Sequence, residues 1–173
     1  MFNFIFFLVL LLSCAAPLSS QGGSFPQRIV SLGPINTENV YLLGAEDRLV
    51  GNTSYCVRPE AARNKTKIGS VMQVSIEKIL SLQPDLILAT GLTQPQQVNK
   101  LRELGLQVVQ FQQPGSFAAI CAQFRRIGEL LGLKKRAEDI IREMENKVKA
   151  ISAAAAALPQ HRVFLQIGAT PLF

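Results

Sequence analysis

The sequence predicts an α/β fold, in which a parallel sheet carries helices on both faces. The first observation behind this prediction is a regular alternation of short apolar runs with amphipathic stretches over residues 28–132. The second is that each amphipathic stretch ends at a glycine or a proline, residues that commonly stop helices. The third is an uninterrupted helical pattern after residue 132, which is longer than a helix packed on a small sheet usually needs.

The strands of this lobe are predicted from four short apolar runs, which are rich in valine, isoleucine and leucine. The third run reads Asp-Leu-Ile-Leu-Ala-Thr, and it is apolar enough to be a buried strand. The predicted strands are 28–32, 49–53, 85–90 and 107–111.

The helices are predicted from the amphipathic stretches that alternate with these strands. Asn36 or Thr37 is the expected N-cap of the first helix, and Ser75 that of the second. Pro95 suits the first turn of the third. The predicted helices are 38–43, 75–83, 95–104 and 116–131.

Residues 134–158 predict one helix that is on the order of 37 Å long at 1.5 Å per residue. A further apolar run over 162–167 predicts a strand. A single strand after a long helix cannot bury its two faces, so it requires a second sheet. We therefore expect a lobe over 28–132, a connector helix over 133–158, and the start of a truncated second α/β lobe over 159–173.

The N-terminus predicts an export signal over residues 1–16, followed by a flexible spacer over 17–27. The apolar run 4–12 is too short to span a bilayer and precedes small residues. Cys14 closes a Leu-Leu-Ser-Cys sequence typical of a lipoprotein signal, in which it would be lipidated. Cleavage after Ala15 or Ala16 is the alternative. No lysine or arginine precedes the apolar run, which departs from the usual signal.

The net charge of +6 does not indicate nucleic-acid binding. Basic residues of the long helix alternate with acidic ones, which is typical of a solvated face. Arg58, Arg63, Lys65 and Lys67 alone form a local excess. This excess is compatible with an anionic ligand near that loop or with a merely soluble loop.

The sequence contains too few reactive residues for most enzymatic sites. His161 is its only histidine, and two cysteines, Cys56 and Cys121, lie outside the signal. These cannot supply a transition-metal site of the usual ligand number or a serine–histidine–acid triad. Cys121 lies on an apolar helical stripe and is expected in the core, whereas pairing of Cys56 with Cys121 stays open. The sequence predicts a binding protein, not an enzyme, with no cofactor and no metal.

Several short segments, collinear in order and spacing, resemble a known family. They are 31–38, 51–56, 68–70, 75–79, 82–87, 101–107 and 162–168. The chain resembles the periplasmic substrate-binding proteins of ABC importers for cobalamin, ferric siderophores and haem, and its last segment looks most similar to cobalamin-binding members. Only the N-terminal portion of such a protein is covered.

The resemblance implies two α/β lobes joined by one long rigid helix, with the ligand in the cleft between them. It implies a receptor in the periplasm or on the extracytoplasmic face of the membrane, which delivers ligand to ABC importer permease subunits. A membrane contact is expected only through a lipid anchor. The alternatives are an exported enzyme or assembly factor on a similar lobe, and a non-functional truncated fragment.

The resemblance also assigns candidate site residues. Glu77 matches an acidic residue that docks on the permease. Val71 and Thr90 replace cleft tryptophans of cobalamin-binding members, which puts cobalamin in doubt and leaves a ferric siderophore or another metal chelate open. The lack of a histidine cluster argues against receptors for bare zinc or manganese. The candidate ligand-binding residues are Pro34, Ile35, Asn36, Tyr55, Val71 and Thr90.

Overall fold

The computed structural model describes residues 25–159 and 161–164. Two short 3₁₀ turns, Glu46–Arg48 and Glu60–Asn64, flank the second strand. The strands are β1 Ile29–Ser31, β2 Leu49–Asn52, β3 Thr66–Lys67, β4 Leu86–Thr90 and β5 Val108–Phe111. The helices are α1 Pro34–Leu42, α2 Ile76–Ser81, α3 Pro95–Glu103, α4 Phe117–Leu130 and α5 Lys134–Ala156.

The five strands form one parallel sheet in the order β3-β2-β1-β4-β5. From β1 the chain proceeds outwards to β2 and β3, and it then returns to place β4 on the other side of β1. The topological switch point therefore lies between β1 and β4. In open α/β sheets, ligands bind outside the carboxyl ends of the strands at such a point.

Helices cover both faces of the sheet, which confirms the predicted fold class. Successive side chains of β4 point to opposite faces, so Leu86 and Leu88 enter one core, and Ile87 and Ala89 enter the other. The first core is completed by α1, its C-cap residue Leu43, α4 and α5; the helical residues are Val40, Phe124, Ile127, Ala137 and Ile141. The second is completed by α2 and α3, through Ile79, Val98 and Leu101.

The long helix α5 is attached to the lobe by its first half. A Cβ placed on Gly128 of α4 would lie 2.5 Å from the Cβ of Ala137, so the two helices approach closely at this glycine. Ala137 and Ile141 are the buried residues of α5. From residue 142 to its end, the helix is exposed apart from the half-buried Met144. Its function as a connector stays a prediction.

The structure differs from the sequence prediction at the start of α1 and at one edge of the sheet. Helix α1 begins at Pro34, so Asn36 and Thr37 lie inside it and are not its caps. The sheet contains a fifth strand, β3, which is two residues long at one edge. Of the strand predicted over 162–167, the structure describes residues 162–164, which are exposed and not in a strand, and residues 165–167 lie outside the described residues, so this strand stays a prediction.

The N-terminal end of the described chain is bound to the lobe. The backbone N–H groups of Gln27 and Arg28 donate to the two carboxylate oxygens of Asp85, at 2.7 Å and 2.9 Å. The ring of Phe25 packs on Gly132. Residues 25–27, assigned to the predicted spacer, thus contact the lobe, whereas the predicted signal and Cys14 lie outside the described residues. Within the described ranges, no helix is long and apolar enough to cross a bilayer.

The two cysteines of the lobe are both buried and unbridged. Cys121 lies in the core between the sheet and α4, as expected, and burial raises the pKa of its thiol. Cys56 is completely buried beneath the loop after β2, where its sulfur lies 3.1 Å from the Thr53 hydroxyl oxygen. The open question of a Cys56–Cys121 pair is therefore answered in favour of two separate thiols.

Candidate ligand-binding groove

A groove with a volume of about 480 Å³ lies at the carboxyl edge of the sheet. Small-molecule sites in proteins commonly have volumes of roughly 300–1,000 Å³, so the groove is large enough for part of a ligand of moderate size. Its lining residues are Pro34, Ile35, Asn36, Tyr55, Ser70, Val71, Met72, Thr90, Gly91, Leu92, Phe111, Gln112, Gln113, Pro114 and Gln123.

The groove follows directly from the strand order. Residues 34–36 come after β1, residues 91–92 after β4, and residues 112–114 after β5. Because the strands are parallel, these segments all emerge at the same edge of the sheet. The segment after β1 faces the one after β4 across the switch point, where α/β folds commonly bind ligands.

All six residues predicted to contact ligand line this single groove. They come from four separate segments of the chain, around residues 35, 55, 71 and 90. The fold therefore brings together residues that the resemblance assigned one by one. Whether they bind a ligand stays a prediction.

Asn36 connects the first turn of α1 to strand β4 through hydrogen bonds of its side chain. Its side chain is 1% exposed, and its amide nitrogen donates to the backbone oxygens of Leu88 and Ala89 at 3.2 Å and 3.1 Å. Beside it, the Thr37 hydroxyl donates to the Ser31 hydroxyl oxygen at 2.8 Å. These bonds tie the first turn of α1 to β1 and β4. Asn36 therefore fixes the two segments that face each other across the switch point.

Thr90 ends β4 and shapes the turn that follows. Its hydroxyl oxygen accepts from the backbone N–H of Leu92 at 3.3 Å, and its carbonyl oxygen accepts from the Gln110 side chain at 2.9 Å. Gly33 lies so close to the Thr90 methyl group that a side chain at position 33 would collide with it. The absence of a side chain at Gly33 thus lets the β1–α1 turn approach β4.

Apolar side chains are exposed along the rim of the groove. Tyr55, Met72 and Leu92 are 64%, 63% and 65% exposed, and Ile35 is 39% exposed. Clustered exposed apolar groups rimmed by polar ones commonly mark ligand or protein contact sites. The groove is thus open on the side opposite the sheet, where it presents a largely apolar surface.

The groove wall carries no charged side chain among the described residues that line it. Its polar groups are amides and hydroxyls, with Gln112, Gln113 and Gln123 at one end. The local basic excess lies elsewhere. The Arg58 guanidinium pairs with Glu38 at 3.3 Å, and the Lys65 ammonium donates to the Glu46 carbonyl at 2.7 Å. An anionic ligand bound by that loop therefore finds no support in this geometry.

Sequence reasoning missed the part of the groove that follows β4 and β5. Leu92 and Gln112 to Pro114 belong to no motif, and their residue types alone do not indicate binding. Their position could nevertheless have been predicted, because they follow predicted strands, and the carboxyl ends of parallel strands meet at one edge of the sheet. Met72 and Gln123 depend on loop and helix placement, which the sequence pattern does not specify.

Glu77 lies apart from the groove. It is an exposed residue in the first turn of α2, and its carboxylate accepts a hydrogen bond from the Ser75 hydroxyl at 3.1 Å. The Ser75 hydroxyl oxygen also accepts from the backbone N–H of Lys78 at 3.3 Å, which confirms Ser75 as the cap of α2. Glu77 is thus placed where a partner protein can reach it. Across the described ranges, no group of three or more histidine, cysteine or acidic residues could hold a metal ion.

Comparisons with known proteins agree with this architecture. An uncharacterized ABC transporter substrate-binding lipoprotein of Bacillus subtilis is 32% identical over 152 residues, covering 84% of this chain and 48% of the relative. A vitamin B12-binding protein of Yersinia pestis is 30% identical over 148 residues, covering 85% of this chain and 52% of the relative. The chain spans about half the length of these curated relatives.

Solved structures show the same lobe. A periplasmic haem-binding protein from Pseudomonas aeruginosa superposes with a TM-score of 0.71 at 28% identity, covering 78% of this chain and 50% of that one. The sequence profile of the family described as "Periplasmic binding protein" matches residues 29–171, which is most of the chain. Together with the groove at the switch point, these matches show that the chain belongs to the periplasmic binding protein family.

Proposed function

We propose that this chain is the ligand-capturing N-terminal lobe of an extracytoplasmic receptor, which binds a metal chelate and delivers it to the permease of an ABC importer. The chelate would be a corrinoid, a ferric siderophore or haem. The receptor itself catalyses no reaction. The observation that carries this proposal is the convergence of all six candidate residues on one groove at the switch point.

The relatives support the transport assignment. One is named as an ABC transporter substrate-binding lipoprotein, another as a vitamin B12-binding protein, and a structural neighbour as a haem-binding protein. Vitamin B12 and haem are large metal complexes, which need a wide contact surface. The open apolar groove is suited to form one side of such a site, because apolar walls with a few polar groups are typical of small-molecule sites.

The uncharged wall narrows the ligand class. A carboxylate or catecholate oxygen placed against this wall would lose hydration without gaining a cationic partner, which is unfavourable. Amides and hydroxyls of the wall, such as those of Gln112, Gln113 and Thr90, can instead bond neutral polar groups. We therefore favour a ligand that presents an uncharged face here, for example an amide-bearing corrinoid or a neutral ferric hydroxamate.

The location and the partners are part of the same proposal. The Leu-Leu-Ser-Cys sequence that ends at Cys14 supports a lipid anchor on the extracytoplasmic face, and a soluble periplasmic form is the alternative. The permease subunits would receive the loaded receptor through exposed acidic residues, among them Glu77. Nucleic acid is not expected as a partner, because the basic residues are dispersed among acidic ones.

The first test is binding of three probes to the complete receptor by quenching of tyrosine fluorescence. The probes are cyanocobalamin, the neutral cyclic hydroxamate complex ferrioxamine E, and haemin, which carries two propionates. We expect cyanocobalamin or ferrioxamine E to bind at micromolar concentration or tighter, at least about tenfold more tightly than haemin, and to be recovered chemically unchanged. Chemical conversion of a probe, or binding of none, would contradict the receptor proposal. Tighter binding of haemin than of the other two probes would contradict the proposal that the ligand presents an uncharged face to the groove.

Glu77→Ala in the complete receptor is expected to reduce uptake of the bound probe while its affinity for the receptor stays unchanged. The physical reason is that the carboxylate is exposed and lies outside the groove, so its loss removes charge complementarity to a partner without altering the wall. The measurement is uptake into permease-containing vesicles beside an equilibrium binding titration. Glu103→Ala, at an exposed acid in the last turn of α3, is the matched control. Unchanged uptake with Glu77→Ala would exclude the docking role.

A further inference from the structure

Lys67, the last residue of β3, extends a half-buried side chain beneath the loop of residues 53–65. Its ammonium nitrogen donates to the Asn52 side-chain oxygen at 2.7 Å, to the Ala62 carbonyl at 3.0 Å and to the Cys56 carbonyl at 3.3 Å. An ammonium group has three N–H donors, so these bonds use all of them. Burial lowers the pKa of this lysine.

The three acceptors lie at the points that define the loop. Asn52 ends β2 where the loop begins, Cys56 follows its first turn, and Ala62 belongs to the 3₁₀ turn before β3. The Asn52 amide nitrogen also donates to the Ala62 carbonyl, at 3.0 Å. One ammonium group therefore connects the start, the first turn and the end of the loop.

Tyr55 depends on this network for its position. Its side chain is 64% exposed, so side-chain packing restrains it little, and its direction follows the backbone. That backbone forms a tight turn, in which the N–H groups of Cys56 and Val57 donate to the carbonyls of Thr53 and Tyr55, each at 3.0 Å. The Cys56 carbonyl, directly after Tyr55, is the group that Lys67 holds.

We propose that Lys67 is a positioning residue, which holds the loop 53–65 so that Tyr55 projects into the groove. Lys67 does not itself line the groove. The inference rests on the proposed function for the idea that Tyr55 contacts ligand. Its test reads the mobility of Tyr55 and not binding, so failure of this inference and failure of the proposed function are distinguishable.

The test uses the full 173-residue chain with the substitution Tyr41→Phe. The sequence contains two tyrosines and no tryptophan, so Tyr55 then becomes a single fluorescent reporter. With Lys67→Met, which keeps a flexible unbranched side chain but removes its donors, we expect the anisotropy of Tyr55 to fall. We also expect the amides of Cys56 and Val57 to exchange at least about tenfold faster, while those of β4 keep their protection, because only the loop opens.

Lys65→Met is the matched control, since Lys65 precedes the same strand but donates to the Glu46 carbonyl, away from Tyr55. It is expected to leave both readouts unchanged. If Lys67→Met fails to fold, Lys67→Gln replaces it in the same two measurements. Glutamine is the milder change, because it retains an N–H donor on a shorter side chain. Unchanged anisotropy and exchange in the decisive Lys67 variant, or equal loosening by Lys65→Met, would overturn the proposal.

Discussion

The 173-residue chain is expected to bind a chelate at least about 100-fold more weakly than a receptor that also carries the second lobe implied by the resemblance. Ligand sites commonly bury roughly 70–90% or more of the surface of a small ligand, whereas the groove is open on the side opposite the sheet. A hundredfold weaker affinity corresponds to about 2.8 kcal/mol, a modest value for the absence of an entire wall of the site.

The measurement is equilibrium dialysis of the tightest of the three probes against both proteins. Circular dichroism and amide exchange of β4 confirm that the shorter chain is folded. An affinity within tenfold of that of the two-lobed receptor would show that this lobe forms a sufficient site by itself. In that case, the second lobe would serve delivery and not capture.

The architecture of the lobe could be predicted because its strands and helices are periodic over enough residues. Strand β4 illustrates this, since its five residues are all buried and its apolar run is evident in the sequence. Strand β3 could not be predicted, because two residues at a sheet edge, Thr66 and Lys67, have no detectable period and are ordered by pairing with β2.

The predicted start of α1 is too late for a physical reason. Asparagine and threonine are common helix caps, so Asn36 and Thr37 predict a start after them. In the structure both residues belong to the helix and are buried. Their side chains bond to β4 and to Ser31 and not to the first turn of the helix. A long-range partner decides the outcome, and single-sequence patterns do not contain that information.

The candidate site could be predicted in part for a related reason. Residues that belong to collinear motifs, such as Pro34 and Tyr55, can be identified from the sequence, and the fold places them at one groove. The glutamine-rich end of the groove, which follows β5, cannot be identified from the sequence, because Gln112 and Gln113 belong to no motif. Lys67 belongs to a local basic excess in the sequence, although its ammonium is committed to the loop beneath Tyr55. Burial of a charged group is a tertiary property that composition cannot reveal.

Gly33→Ala is expected to lower the free energy of unfolding by about 1–3 kcal/mol, the usual cost of overpacking a well-packed site. Its φ of −172° is extended backbone that any residue adopts, so the cost is steric and not torsional. The added Cβ would collide with the Thr90 methyl group. Thr90 cannot turn freely, because its hydroxyl oxygen accepts from the Leu92 backbone.

The collision involves one methyl group, so it can be relieved by removing that group. Thr90→Ser deletes the methyl and keeps the hydroxyl, and the pair Gly33→Ala with Thr90→Ser is expected to recover most of the lost stability. Urea denaturation of the single and double variants measures the coupling between the two sites. Gly115→Ala is the control, since nothing lies within 4 Å of a Cβ placed there.

Additive effects of the two substitutions, with no recovery in the pair, would show that Gly33 is required for a reason other than its contact with Thr90. Recovery would show that close approach of the β1–α1 turn to β4 depends on the missing side chain at position 33. The same approach brings Pro34 and Thr90 to one groove, so the stability of the switch point and the shape of the candidate site would then have a common steric origin.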